Sequence, residues 1–164
     1  MRPSIGLAVQ LLLLLAVANT APIAAKRWLG ARWSRPLDGG LRFVDGRPLL
    51  GPSKTVRGVL ASVVATTLAA ALLGLPAQAG ATIGAVAMAG DALSSFVKRR
   101  LGIASSGKAT GLDQIPEALL PLLAVQGMLS LSAGLVAAVT LLFFALEIPA
   151  ARIGFRFGLR DRPY

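Results

Sequence analysis

Asp91 is the one acid in an otherwise uncharged stretch covering residues 58–97. Ser94, Ser95 and Lys98 follow it at i+3, i+4 and i+7, the spacing that puts side chains on one helical face. Arg99, at i+8, lies close to that face, and Arg100 comes next. A carboxylate in a membrane-length apolar segment is costly unless it pairs or binds a cation. Lys98 would stand about 10 Å along the helix axis from Asp91. That spacing suits a metal held low by the carboxylate and phosphates held higher by the cations. The chemistry it points to is metal-assisted phosphate chemistry at a membrane surface. The bland alternative is a buried ion pair between Asp91 and an arginine.

Two further segments could contribute. The loop after this helix returns through Gly111-Leu112-Asp113-Gln114. Asp113 precedes a hydrophobic helix, so it is either an N-cap or a second metal ligand beside Asp91, being the only acid near enough. Upstream, Pro52-Ser53-Lys54-Thr55 sits where a helix should begin. Helix N-termini offer free N–H groups to anions, and Lys54 adds charge. It is not a Walker loop: counted from Gly46, the lysine would fall at position 52, which is proline. Arg32 and Arg35 read as a solvated face touching anionic lipid. Gly80 and Gly84 have the spacing of helix packing. Asn19 and Pro22 read as structural, with Pro22 kinking or ending its helix.

The elements that must hold these residues are apolar helices. The 164 residues are 55% hydrophobic, too apolar for a soluble domain of this length. Charges are segregated. Residues 3–25, 58–90 and 118–146 carry none, whereas residues 26–57 carry eight bases and two acids. Each uncharged block exceeds the roughly 20 residues that cross a bilayer. Gly74-Leu75-Pro76 breaks the second block, and Gln126-Gly127 divides the third. The expected fold is all-α and polytopic, with one integral-membrane domain over 1–164. Its spans run about 4–25, 56–75, 77–99, 114–126 and 128–149, with cytoplasmic loops 26–55 and 100–113. The N-terminus is expected outside and the C-terminus inside, because five spans put every base except Arg2 on one side. Four spans would put the basic tail, which begins at Glu147, on the opposite side. Residues 1–25 fit a cleaved signal peptide loosely, but cleavage would export the most basic loop.

Composition excludes several classes. There is no cysteine and no histidine, so disulfides, thiolate nucleophiles, imidazole bases and the usual zinc sites are out. The net charge of +10 fits cytoplasmic loops facing anionic membrane lipids better than nucleic acid, since aromatic residues make up only 5%.

Together these pieces resemble the CDP-archaeol synthase family, small five-span membrane cytidylyltransferases related to phosphatidate cytidylyltransferases. The similar stretches are Asn19-Thr20-Ala21-Pro22, Pro36-Leu37-Asp38-Gly39-Gly40, residues 45–58, Gly90-Asp91 onward to Gly102, Gly111-Leu112-Asp113-Gln114, and the ending Leu159-Arg160-Asp161-Arg162-Pro163-Tyr164. They cover nearly the whole chain in order. The Pro-Ser-Lys-Thr-x-Arg-Gly and Ser-x-x-Lys-Arg pieces are the most specific. The resemblance implies Mg²⁺-dependent transfer of CMP from CTP to an anionic lipid phosphate of archaetidic or phosphatidic type, releasing pyrophosphate, at the cytoplasmic face of the cell membrane. It implies Asp91, Lys98 and Asp113 as catalytic, with Asp91 and Asp113 on the metal. Lys54, Lys98 and Arg99 would bind phosphates, with Ser53, Thr55 and Ser95 helping. Asp38 and Asp45 would support the nucleotide loop.

One position departs. The family pattern has a second acid three residues after Asp113, where this chain has Pro116. Glu117 is next to it but would point roughly 100° away on a helix, so the metal site is expected to be weakened, rebuilt with Glu117 as a support, or lost. Two other readings therefore stand beside the enzyme: a catalytically degenerate membrane protein binding lipid headgroups or partner helices, and a small cation or proton carrier using Asp91. Lipid tail type and oligomeric state are open.

Overall fold

The computed structural model describes residues 5–104, 107, 109 and 111–158. Lys108 and the ending 159–164 lie outside them. The described residues form five α-helices joined by turns and loops, with no strands: α1 (Ile5–Leu29), α2 (Val56–Leu72), α3 (Ala77–Arg100), α4 (Gln114–Ala124) and α5 (Ala133–Arg156). Three of them, α1, α3 and α5, are long and apolar enough to cross a membrane. The 17 residues of α2 make a rod of about 26 Å, and the 11 of α4 reach only about 16 Å.

Helix α3 is the central post, packed against α1, α2 and α4, while α5 closes the bundle against α4 and α1. Between α2 and α3 the backbones nearly touch. A methyl group added at Gly80 would meet the Thr66 carbonyl oxygen at 2.4 Å, and one at Gly84 would meet the Val63 Cα at 2.8 Å. Small residues allow this approach, which in lipid replaces the hydrophobic drive as the source of helix association. Larger side chains fill the other seams: Leu11, Leu14 and Leu15 of α1, Ile83 of α3, Leu122 of α4, and Val139 and Phe143 of α5 are buried together.

Two helix boundaries differ from the sequence expectation. Helix α1 continues through Pro22 to Leu29 rather than ending at 25. The Pro22 ring lies where α1 meets α2, 3.4 Å from the position a Cβ on Gly58 would take. The helix end is then held from outside, because the Arg57 guanidinium donates to the Gly30 and Arg32 carbonyls at 2.8 and 2.7 Å. Helix α5 starts at Ala133, where the Ser132 hydroxyl accepts the Leu135 N–H, and runs through Pro149 to Arg156. Glu147 is therefore an interior residue of α5 and not the start of a basic tail.

The basic loop between α1 and α2 is ordered around one acid. Asp38 is nearly buried, and its carboxylate accepts from the N–H groups of Gly40 (2.9 Å), Leu50 (2.8 Å) and Gly51 (3.3 Å). Burial alone would raise its pKa, but the three backbone donors outweigh it and hold the carboxyl below its usual value of 3.8. A depressed folded-state pKa means stability that is present above 3.8 and lost as pH falls below that value through the folded one. Asp38→Asn should cost about 2 kcal/mol at neutral pH, as expected for hydrogen bonds to a charged acceptor. The difference in melting between wild type and variant should shrink as pH falls below 3.8. A difference that stays constant down to strongly acidic pH would contradict this account.

Candidate active site

The loops on the α3 C-terminal side close over a cavity of about 1110 Å³. Its floor is the Asp91 region of α3, and its walls come from α1, the start of α2 and the 107–114 segment. Each wall is placed by a local device. Thr55 caps α2 by accepting the Gly58 N–H at 3.2 Å, which sets Lys54 at the helix mouth. The Lys54 backbone is itself fixed, its carbonyl accepting from Leu37 N–H at 2.7 Å. On the other side, the Ser94 hydroxyl donates to the Leu112 carbonyl at 2.6 Å, sewing the returning loop to α3.

Two ion pairs cross the cavity. Lys54 Nζ lies 2.5 Å from both Asp91 carboxylate oxygens. Lys98 Nζ lies 2.5 Å from Asp113 Oδ1 and donates to the Gly107 carbonyl at 3.2 Å. Asp91 does form an ion pair, then, but with the upstream lysine and not with an arginine. Lys54 and Lys98, far apart in sequence, line one cavity. Asp113 precedes α4 without a side-chain capping bond. Its Oδ2 accepts the Ala109 N–H at 3.0 Å instead.

Of the alternatives for Glu117, the structure favours the one that brings it to the site. It is buried and lines the same cavity as Asp91, rather than turning away. The reason is Gly90. A Cβ there would meet the Pro116 carbonyl oxygen at 2.5 Å and the Glu117 nitrogen at 3.1 Å. The first turn of α4 therefore lies directly on α3, one residue before Asp91, and Glu117 enters the cavity beside it. Of the expected metal pair, Asp91 meets Glu117 while Asp113 meets Lys98.

The other expected residues divide. Ser53 and Thr55 line the cavity. Ser95 is buried on α3 and is not among the lining residues. Arg99 also sits elsewhere: its guanidinium donates to the Ala104 carbonyl at 2.7 Å and borders a separate shallow cleft with Arg47. The C-terminal turn of α3 has swung it past the cavity. Asp45 accepts from Arg47 N–H and from the Arg100 guanidinium, and Asp38 organises the loop, so both act at a distance from the cavity.

Several lining residues were not read as site residues. Lys26, Arg27 and Arg57 add positive charge to that of the two lysines, and Asn19 and Glu147 face the same space. Glu147 carries a weaker signal than Asp91: it follows an uncharged block rather than interrupting one, which makes it read as the start of the tail. Asn19, polar and one turn before Pro22, lay inside a matched motif without a chemical role of its own.

Among the described residues no three acids form a ready-made metal cage. Mg²⁺ does not require one, since it commonly binds through one or two carboxylates plus substrate phosphates. Two carboxyl groups in contact need a shared proton or a cation between them. Asp91 and Glu117, facing a cavity rich in lysine and arginine, therefore have the chemistry to fit a divalent metal bound together with a polyphosphate.

Comparison with known proteins shows the family. A family model described as CarS-like, CDP-archaeol synthase, matches residues 5–84 and 77–164. The CDP-archaeol synthase of Thermofilum pendens is 35% identical over 155 residues, covering 90% of this chain and 76% of that protein. Those of Hyperthermus butylicus and Aeropyrum pernix are 40% and 41% identical, over 60% and 66% of this chain. The matches span only 59% and 62% of those two relatives' lengths. Among solved structures, an intramembrane enzyme for archaeal membrane lipid biosynthesis superposes with a TM-score of 0.70 at 36% identity, covering 87% of this chain and 91% of that one.

Proposed function

This chain belongs to the CDP-archaeol synthase family, and from that premise we propose that it transfers CMP from CTP to an archaetidic-type lipid phosphate in the inner leaflet of the cell membrane. An oxygen of the lipid phosphate attacks the α-phosphorus of CTP. The α–β phosphoanhydride bond breaks, and its electron pair leaves with pyrophosphate. The nucleophile is already an anion, so the reaction needs no imidazole base, in keeping with a chain without histidine.

What the protein must supply is charge and alignment. Lys54 and Lys98 can each exchange a carboxylate for a phosphate oxygen, and the two carboxylates hold the ammonium groups in place with their charge balanced. Arg57 and Lys26 extend the positive wall toward α1, and Asp113 holds Lys98. Asp91 and Glu117 would hold Mg²⁺, which when bound neutralises charge on the reacting phosphates. The cavity opens on the side of the basic loops, which we assign to the cytoplasm, with the N-terminus outside and the C-terminus inside. The pairing of Lys54 with Asp91 beside Glu117 is the observation that supports this reading: a lysine at the mouth of α2 and carboxyl groups from α3 and α4 meet in one cavity, as phosphate and metal binding would require.

Purified protein with Mg²⁺, CTP and lipid phosphates of isoprenoid-ether and acyl-ester type should release pyrophosphate, fastest with the isoprenoid ether. No release with either lipid, from monodisperse protein, would reject the enzyme in favour of a lipid-binding or carrier role.

A further inference from the structure

Residues 41–49 form a hairpin that stands outside the cavity. Its register is set by Phe43 N–H donating to Arg47 O at 2.8 Å and Leu49 N–H donating to Leu41 O at 2.8 Å. Gly46, at φ 75°, closes the tip, a left-handed position that glycine takes without strain. The hairpin is bolted to the end of α3. Phe43 meets Phe96 edge-on at 5.4 Å, and the Arg100 guanidinium lies over both rings at 4.6 and 5.1 Å. Asp45 and the Pro48 carbonyl hold that guanidinium at 2.7 Å each. Arg47 reaches back to the Arg100 carbonyl at 2.7 Å.

The tip is nonetheless apolar and bare. Val44 is 96% exposed and Leu41 63%, although a rigidly mounted hairpin could have turned either inward. Arg42 and Arg47 flank them. The mounting sets the depth. Phe96 lies four residues before Arg100, about 6 Å down the axis of a membrane-crossing helix. Lys98, Arg99 and Arg100 fill the last turn of that helix, and long basic side chains at such an end reach for the headgroup level, where water gives way to lipid. One turn further down the same helix Leu93 is half exposed, so apolar surface continues from the α3 flank to the hairpin.

We propose that the hairpin docks into the lipid interface, with Val44 and Leu41 below the headgroups and Arg42 and Arg47 on anionic phosphates. This is an interaction surface for anionic lipid, separate from the substrate cavity. It also braces the site. Asp38 fixes Leu50 and Gly51 directly after the hairpin, and Lys54 follows three residues later.

The natural chain has no cysteine, so a single thiol can be placed without competition. Val44→Cys carrying an environment-sensitive fluorophore is reconstituted into vesicles of phosphatidylglycerol and phosphatidylcholine, or of phosphatidylcholine alone, after gel filtration confirms monodispersity. In the anionic vesicles the emission should shift to the blue, iodide should not quench it, and a spin label near the headgroup should quench at least about twofold more than one at the bilayer centre. Arg42→Glu in the labelled chain should reduce that burial, as should neutral vesicles. Free iodide access in both lipids would overturn the docking and leave the tip to water or to a protein partner. Equal burial in both lipids, unchanged by Arg42→Glu, would overturn the role given to the arginines.

Discussion

Asp91→Asn should lower turnover at saturating CTP at least about 100-fold, the scale expected when a charged group at the reacting centre is neutralised. The asparagine keeps the shape and can still accept from Lys54, but it cannot share a metal with Glu117. Melting should move little, because the asparagine oxygen still accepts from Lys54 and the Glu117 carboxyl beside it can balance the ammonium charge. Pyrophosphate release and a thermal melt on the same preparation separate the two effects. Turnover within a few-fold of wild type would remove Asp91 from the chemistry and leave it a structural partner of Lys54.

Gly90→Ala should be nearly as damaging while touching no reacting group. The added methyl would lie 2.5 Å from the Pro116 carbonyl oxygen and 2.7 Å from its carbonyl carbon. Both are backbone atoms, so the first turn of α4 must lift away from α3. The cost in stability is about 1–3 kcal/mol, typical of overpacking. The larger consequence is displacement of Glu117 from Asp91, which should reduce kcat at least about tenfold, since small misplacements of positioning groups are expensive. Gly6→Ala serves as the control, because nothing lies within 4 Å of the added carbon. Equal kcat for the two variants would show that Glu117 need not sit against Asp91.

Much of the arrangement was legible in the sequence because bilayers impose coarse rules. Charge segregation located the helical blocks, and Gly74-Leu75-Pro76 marked the break between α2 and α3. The isolation of Asp91 among apolar residues pointed to the cavity floor. The failures came where a tertiary contact overrode a local rule. The first span is expected to close near residue 25, soon after Pro22, yet α1 runs on to Leu29 because Arg57 from another helix holds the turn beyond it. Helical geometry alone turned Glu117 away from its neighbour's direction, but whether that direction is toward or away from Asp91 depends on how α4 lies against Gly90. Arg99 is expected with Lys98 because i+8 lies near the Asp91 face. Eight residues leave it about 80° off Asp91, and that offset turns it to a separate cleft while Lys98 faces the cavity.

The ion pair between Lys54 and Asp91 also bears on how the chain enters the bilayer. Lys54 comes just before α2, Asp91 lies late in α3, and the two helices are joined by a tight turn at residues 73–76. The counter-ion is synthesised first and waits at the mouth of the hairpin that delivers the acid. A carboxylate threaded into hydrocarbon alone would oppose insertion. Escorted by a lysine already stationed at the surface, it can be installed as half of a neutral couple, with both helices going in together.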